Sequence, residues 1–314
     1  MLRYLIVLLD DTSTSFCHYT ASNKEPNLIS LDILRKAIRW AMTENLTIQF
    51  VYPSHELLDE WNETIETIDH VKIKPATAAS TSDADVVVFE GLEAIDMPLS
   101  KRDVSIVIRT RMSDFLDKHD RLHKLLAQAN RLNVVFTDVD SFADDDQKAY
   151  DEALASLSLV VKNEYVNNHP VQFNLLTDRI MLTEMNNCGA GDSTITLAPD
   201  GQFYVCPAFY YDADGYPVGN IEGRLDIPNK QLYRLQYAPI CRRCDAYQCH
   251  RCIWLNRKTT FEVNTPSHEQ CVVAHIERNA SRRLLEAIRQ EGEFMSGTEI
   301  EEIDYLDPFE IARP

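Results

Sequence analysis

Cysteines are the residues of this chain whose type and spacing point most directly to chemistry. Seven of the eight lie between residues 188 and 271, whereas Cys17 stands alone in the first 187 residues. The segment 241–252 reads CRRCDAYQCHRC, which is two CxxC pairs separated by four residues. A CxxC pair lets two thiolates converge on one metal ion or on one edge of a cluster. The pattern therefore predicts metal or iron–sulfur ligation rather than unrelated buried thiols.

A second cysteine pair brackets a predicted β-hairpin. The segment from Cys188 to Cys206 reads CGAGDSTITLAPDGQFYVC. Strand-like pieces at Ser193–Leu197 and Phe203–Val205 flank Asp200–Gly201, a turn pair typical of hairpins. Such a hairpin would return Cys206 towards Cys188.

Small and basic residues accompany the cysteines. Gly189 and Gly191 are expected to give the backbone room beside a bulky centre. Five cations are expected either to offset the negative charge of thiolate ligands or to stay solvated. They are Arg242, Arg243, Arg251, Arg257 and Lys258.

The elements that must position these thiols alternate along the first 187 residues. About six or seven strands fit before residue 180, with β-branched runs such as Val86–Phe89. Helical segments lie between them, including Leu31–Glu44 with Ser30 as N-cap, and Met112–Arg131 as one long helix. Alternation of this kind predicts an α/β fold with a mainly parallel sheet, either open or closed into an incomplete (βα) barrel.

Polar residues at strand ends offer weaker candidates for a site. Cys17 and His18 follow the first strand in DDTSTSFCHY, and Asp138 and Asp140 end a later one. The carboxyl ends of parallel strands are where α/β proteins build sites. The alternatives are a half-buried loop cysteine and a helix-capping carboxylate, so catalytic residues stay unassigned.

Charge and hydropathy exclude several classes of partner. The 314 residues include 31 Lys plus Arg and 49 Asp plus Glu, a formal net charge of -18. Such a chain repels phosphate backbones and anionic membrane surfaces, so we expect no nucleic acid and no membrane partner. No apolar run approaches the roughly 18 residues that span a bilayer. The sequence favours a cytoplasmic protein, in which crowded thiols seldom form disulfides.

The C-terminal segment reads as a helix followed by an acidic tail. His275–Gln290 has apolar residues every four positions and predicts an amphipathic helix. Gly297–Pro314 is rich in Asp and Glu and is expected to be a solvated terminus rather than a partner-binding tail.

The order of the seven C-terminal cysteines resembles the SPASM domain, an extension of radical SAM enzymes that modify ribosomal peptides. The matches are Cys188-x12-Gly201-x4-Cys206, CGAG at 188–191, PDG at 199–201 and GNI at 219–221. The resemblance implies two auxiliary 4Fe–4S clusters. One would be held by Cys188, Cys206 and Cys252, and the other by Cys241, Cys244, Cys249 and Cys271. The middle block is one residue shorter in two intervals than the family's CxxCx5Cx3C, which keeps zinc open as the alternative.

The first half departs from an active radical SAM enzyme. That family needs CxxxCxxC after the first strand to hold the cluster that binds S-adenosylmethionine, and Cys17 alone cannot supply three thiolates. We therefore expect no S-adenosylmethionine cluster. The combination is most similar to the CXXX repeat peptide maturase family of pseudo-radical-SAM proteins.

This resemblance implies three parts: a degenerate radical-SAM-like α/β domain (1–185), a SPASM-like Cys-rich domain (186–275), and a helix with an acidic tail (276–314). It implies maturation of a small Cys-repeat peptide alongside a genuine radical SAM partner. With three ligands identified at the first cluster, one iron would be open to a substrate thiol. The alternative is a non-catalytic peptide-delivery module with a structural zinc or iron–sulfur centre.

Overall fold

A computed structural model describes residues 1–21, 25–77, 83–96, 104–185 and 187–308 of the chain. The strands in these ranges are β1 (Tyr4–Leu8), β2 (Thr47–Val51), β3 (His70–Pro75), β4 (Val86–Glu90), β5 (Ser105–Thr110), β6 (Arg131–Phe136), β7 (Gln172–Phe173), β8 (Thr194–Leu197), β9 (Gln202–Tyr204) and β10 (Gly219–Asn220). They form one sheet in the order β10-β9-β8-β1-β2-β3-β4-β5-β6-β7.

Helices fill most of the connections between the strands. They are α1 (Leu31–Glu44), α2 (Asp59–Ile65), α3 (Met112–Lys118), α4 (Leu122–Leu126), α5 (Asp146–Val166), α6 (Asp178–Met181), α7 (Pro207–Tyr211), α8 (Ile253–Thr260) and α9 (His268–Arg289). Ser30 caps α1 as predicted, since its side chain accepts a hydrogen bond from Ile33 N. Every helix in the described ranges is too short or too polar to cross a lipid bilayer.

Strands β1 to β8 run parallel, so their carboxyl ends lie along one edge of the sheet. The β8–β9 hairpin turns at Asp200–Gly201 as expected, and Gly201 adopts a φ of +77° that suits glycine. The predicted α/β fold with a mainly parallel sheet is therefore confirmed. It also follows that loops leaving β1, β5 and β6 meet at the same edge.

The sheet joins the N-terminal half to the Cys-rich region. Strand β8 pairs with β1 in parallel, with Tyr4 opposite Thr194 and Val7 opposite Leu197. One sheet therefore runs across the boundary expected at residue 185. The division into three domains stays a prediction.

Two hydrophobic cores cover the two faces of the central strands. Ile106 and Ile108 of β5 pack in a core with residues of α3, α4, α5 and α9. Val107, between them, faces the other core, which includes Tyr19 and α7. This alternation is the two-residue period of a strand that is buried on both faces. Cys17 and Cys206 pack against this second core, whereas Cys252 packs against the first and Cys241, Cys244 and Cys249 lie in a separate small cluster.

The prediction of one helix over Met112–Arg131 is wrong for the second half of that range. A short 3-10 turn at His119–Arg121 separates α3 from α4, and α4 ends at Leu126. Arg131 already starts β6, where its guanidinium pairs with Asp178 at 2.5 and 2.7 Å. Periodicity extended the helix too far, because the strand that follows begins with a charged residue whose partner lies 47 residues away.

The acidic tail is solvated at Glu299, Glu301, Glu302 and Asp304, which are exposed, but it packs on the protein at two positions before residue 308. Ile300 and Asp307 are buried, and the Asp307 carboxylate lies 2.8 Å from Nδ1 of His268 at the start of α9. Helix α9 itself begins seven residues before the expected start, capped by the Ser267 hydroxyl. Residues 309–314 of the predicted tail lie outside the described residues.

Candidate metal centre

The loop that follows β1 is held across the carboxyl ends of the sheet by Arg109. This side chain is 2% exposed and pairs with Glu90, its register neighbour on β4. Its Nε donates to the Cys17 carbonyl at 2.8 Å, and Nη2 donates to the Tyr19 carbonyl. A charged side chain from β5 thus fixes the main chain on both sides of His18.

Two buried histidines lie next to this loop. Nδ1 of His18 is 2.8 Å from the Phe136 carbonyl at the end of β6, and its ring lies 6.5 Å from the ring of His250. Burial lowers the pKa of His18 to about 4 and lowers that of His250 as well. Both imidazoles are therefore neutral at pH 7.

A cavity of about 290 Å³ opens between this loop, the middle of β5 and β6, and the Cys-rich region. Three thiols from distant parts of the sequence line it, those of Cys17, Cys188 and Cys252. The rest of the lining is Phe16, His18, Val107, Asn133, Val135, Asn187 and His250. The cavity is therefore largely apolar, with sulfur on several sides.

Cys188, Cys206 and Cys252, here named the first thiol group, are neighbours in space. Burial raises the pKa of Cys206 well above its usual range, and the thiols of Cys252 and Cys188 raise it further. Cys252 is the N-cap of α8, where its sulfur accepts from Leu255 N at 3.5 Å, and Cys206 is the N-cap of α7. Backbone N–H groups at these helix starts lower the pKa values of both thiols, against the larger effect of burial.

Cys241, Cys244, Cys249 and Cys271 form a second thiol group. Burial raises the pKa of Cys249, and the thiols of Cys241, Cys244 and Cys271 raise it further. Cys271 lies in the first turn of α9, whereas the other three come from the CRRCDAYQC loop. The structure thus brings together the two sets that the resemblance implies. Ligation by either set stays a prediction.

An ion-pair network holds the second group's loop onto α9. Arg278 of α9 donates from Nε and Nη2 to the Asp245 carboxylate at 2.8 and 2.7 Å, and Arg179 donates to it at 3.0 Å. Burial raises the pKa of Asp245, but the hydrogen bonds from both arginines outweigh it and hold the pKa below its usual range. Neither arginine was singled out by the sequence, because both lie far from Asp245 along the chain.

Arg251 is the cation that faces both thiol groups. Arg251 is 2% exposed. Its positive charge lowers the pKa values of Cys188 and Cys252 in the first group and of Cys241 in the second, although burial raises all three pKa values by more. Nη1 donates to the Tyr233 carbonyl at 3.2 Å, but Nε and Nη2 have no hydrogen-bond partner in the described part of the chain. Buried donors of this kind normally have an acceptor.

The other four cations expected to offset thiolate charge lie elsewhere. Arg242 and Arg243 are exposed. Arg257 lies over the rings of Phe209 and Tyr216. Lys258 pairs with Asp140 at 3.1 Å. Only its burial distinguishes Arg251 from the other four cations, and burial cannot be read from the sequence.

The donor set fits a sulfur-ligated cluster. Among the described residues, no group of three or more His, Cys, Asp or Glu side chains is placed to hold a single metal ion. A tetrahedral zinc ion needs its thiolate sulfurs about 4 Å apart. A four-iron cluster binds each thiolate to a different iron and takes sulfurs that lie farther apart. The unpaired nitrogens of Arg251 fit an anionic centre nearby.

The two glycines after Cys188 make room for side chains. A Cβ on Gly191 would lie 2.7 Å from the Tyr233 ring and 3.0 Å from Val205, and one on Gly189 would lie 1.9 Å from the Ser193 hydroxyl. The space that these glycines were expected to give a bulky centre is therefore occupied by the protein itself.

Alanine at Gly191 should destabilise the protein. Gly191 has a φ of +77°, so the substitution combines backbone strain with a clash against Tyr233. We expect the free energy of unfolding to fall by about 2–4 kcal/mol, measured by urea denaturation. Gly292→Ala is the control, since nothing lies within 4 Å of that position. Equal stability of the two variants would contradict the packing described here.

A smaller cavity of about 60 Å³ lies behind the second group and is lined in part by Cys249 and Glu277. The Glu277 carboxylate accepts from the Tyr150 hydroxyl at 2.7 Å and from Gln248 at 3.4 Å. Burial raises the pKa of Glu277 to about 7, although both hydrogen bonds lower it. Glu277 therefore stays protonated in the folded protein at pH values where an unfolded chain ionises it.

This buried proton should make the metal-free protein less stable as pH rises. The stabilisation that protonated Glu277 gives the folded protein is fully present below its usual pKa of 4.5. It is lost as pH rises through the folded-state pKa of about 7. The loss amounts to about 3 kcal/mol at 1.4 kcal/mol per pKa unit. Glu277→Gln should remove this part of the pH dependence in urea denaturation between pH 4.5 and 8. Glu262→Gln, at an exposed site, should keep the wild-type profile, and identical profiles for both would contradict the assignment.

Asp138 and Asp140 have structural roles. The Asp138 carboxylate accepts from Met112 N at 2.8 Å, which caps α3, and pairs with Arg111 at 3.2 Å. Asp140 pairs with Lys258. The capping alternative is therefore the one that the structure supports.

No family model and no curated protein matches this sequence. Solved structures share its fold. The structure "Native anSMEcpe with bound AdoMet and Cp18Cys peptide" covers 92% of this chain and 100% of its own, with a TM-score of 0.62 and 14% identity. The crystal structure of Streptococcus suis SuiB bound to precursor peptide SuiA covers 86% of this chain and 76% of its own, with a TM-score of 0.51 and 12% identity. At these identities the likeness establishes the fold alone.

Proposed function

We propose that this protein is a maturation factor for a ribosomally synthesised Cys-repeat (CXXX) peptide. In this proposal the SPASM-like region holds two auxiliary 4Fe–4S clusters on the two thiol groups. No cluster binds S-adenosylmethionine, because Cys17 is the only cysteine in the first half of the chain. A genuine radical SAM enzyme acts as partner in the cytoplasm, where thiols stay reduced.

The observation that carries the proposal is the separation of the C-terminal thiols into two groups with Arg251 between them. Clusters ligated by several thiolates are anionic, and burying an anion requires a nearby cation or hydrogen-bond donors. Arg251 offers a full charge and two donor nitrogens that the protein itself leaves unpaired. When bound, the clusters would supply electron transfer or a binding site for a thiol.

The cavity beside the first group supports a peptide substrate. Its volume of about 290 Å³ suits one or two side chains of a peptide, since small-molecule pockets begin at about 300 Å³. Cys188 is exposed, so a bound peptide could reach this group. Two structures with this fold carry peptides, one Cp18Cys and one the precursor SuiA, which favours a peptide over a small metabolite here.

Anaerobic reconstitution with iron and sulfide tests the clusters. We expect brown protein with roughly eight irons per chain by chemical analysis, and EPR signals of reduced four-iron clusters. Colourless protein that retains one or two zinc ions would instead support the peptide-delivery alternative. With S-adenosylmethionine and a strong reductant we expect no 5′-deoxyadenosine, and its formation by pure protein would overturn the missing-cluster part of the proposal.

Peptide binding tests the substrate class separately. A labelled synthetic peptide of four CXXX repeats should bind the reconstituted protein, measured by fluorescence anisotropy. The same peptide with serine at each cysteine is the matched control and should bind at least tenfold more weakly. Equal binding of the two peptides would reject recognition of cysteine while leaving the cluster result intact.

A further inference from the structure

The first thiol group is one ligand short of a complete set. A four-iron cluster is usually held by four cysteines, and Cys188, Cys206 and Cys252 supply three. The remaining C-terminal cysteines surround one another in the second group. A fourth thiol for the first group must therefore come from outside the Cys-rich region.

Cys17 lies at this position in space. Its side chain lines the same cavity as Cys188 and Cys252, although more than 170 residues separate it from either. Tyr19, two residues further on, stacks on Tyr211 of α7 with ring centroids 5.6 Å apart, and Cys206 immediately precedes α7, so the loop also approaches the third member of the group. The four sulfur-bearing residues thus surround one cavity.

The loop is built to hold this thiol still. Arg109 binds the carbonyls of Cys17 and Tyr19, and His18 binds the Phe136 carbonyl. None of these bonds uses the Cys17 sulfur. The main chain is therefore fixed on the sheet edge while the sulfur lies at the cavity wall.

Two imidazoles in the same cavity are the competing donors. Nδ1 of His18 is already engaged by Phe136. His250 lines the same cavity and is the alternative donor that a His250→Gln variant tests. Thiolate is the ligand that iron–sulfur clusters use most, which also favours Cys17.

We propose that Cys17 is the fourth ligand of the centre held by Cys188, Cys206 and Cys252. This rests on the proposed function, since it assumes that the first group binds a cluster. The loop that supplies thiolates to the S-adenosylmethionine cluster in radical SAM enzymes would here supply one thiolate to a neighbouring cluster. All four irons would then carry protein ligands, so this cluster would have no iron open to a substrate thiol.

The test uses the full chain with Cys241→Ser and Cys244→Ser, which leaves only the first group intact. Cys17→Ser and His250→Gln are each added to this background and reconstituted. We expect the background and the His250→Gln chain to keep about four irons with an EPR spectrum unaffected by added small thiol. The Cys17→Ser chain should lose iron, or retain a cluster whose EPR spectrum changes when a small thiol is added, because one iron is then open.

A second measurement does not depend on how the variants fold. Wild-type protein is alkylated with iodoacetamide before and after reconstitution, and each cysteine is followed by mass spectrometry. Cys17 should become protected together with Cys188, which is exposed in the metal-free chain. Iron uptake without protection of Cys17, or a spectrum that Cys17→Ser leaves unchanged, overturns this assignment alone. Failure of the wild-type chain to take up iron overturns the proposed function as well.

Discussion

Methionine in place of Arg251 should stabilise the metal-free protein and weaken its hold on iron. Without a centre, the buried guanidinium has two donors without partners, and a side chain of similar volume with no charge removes that cost. We expect the free energy of unfolding of the metal-free chain to rise by about 1–4 kcal/mol. After reconstitution the same variant lacks the cation that faces both thiol groups. Iron per chain should fall to below half of the wild-type value.

Arg257→Met is the matched control for this experiment. Arg257 belongs to the same segment but lies over Phe209 and Tyr216 and donates to the Asp214 carbonyl. Its replacement should cost packing in both states and leave iron uptake unchanged. Urea denaturation of metal-free chains and iron analysis of reconstituted chains give the two readouts. An Arg251→Met chain that is less stable without metal and equally rich in iron would contradict the role assigned to Arg251.

Removal of the Asp245 carboxylate should produce a large loss of stability. Asp245→Ala leaves Arg278 and Arg179 without their common anion, and both arginines are almost fully buried. Breaking a buried pair from one side costs about 3–5 kcal/mol, and we expect about 3 kcal/mol because Asp245 is partly exposed. Asp245→Asn keeps an acceptor but not the charge, and should lose a smaller amount. Both are measured by urea denaturation of the metal-free protein.

An exposed ion pair provides the comparison. Lys148 and Glu152 lie 3.7 Å apart with side chains 88% and 69% exposed. Glu152→Ala should change the free energy of unfolding by less than about 1 kcal/mol. If Asp245→Ala cost no more than Glu152→Ala, the Cys-rich loop would not be held on α9 by this network.

Local sequence features predicted the parts of the fold that depend on short-range physics. The hairpin turn at Asp200–Gly201 follows from the conformational freedom of glycine, and the start of α1 follows from the Ser30 hydroxyl. The helix expected over Met112–Arg131 ran too far because the basic residue Arg131 was included in it, whereas Arg131 starts β6 and pairs with the distant Asp178. The spacing of residues within one segment carries no information about partners elsewhere in the chain.

The sequence predicted which cysteines form the two sets, but not where in the fold these sets lie. Spacing within 241–252 and the resemblance of the C-terminal cysteines assigned seven thiols to two sets. Cys17 was only a weak candidate at the end of the first strand, because its nearness to Cys188 depends on the long-range pairing of β1 with β8. Likewise, five nearby cations are equivalent in the sequence, and burial alone selects Arg251. Long-range pairing and burial are properties of the folded chain.

The pairing of β1 with β8 also determines when this protein can mature. During translation β1 leaves the ribosome about 190 residues before β8, so this edge of β1 stays unpaired until β8 has been made. The first thiol group is complete only after Cys252 has emerged, and the second only after Cys271. Under the proposed function, iron and sulfide would therefore be delivered only after synthesis has passed Cys271.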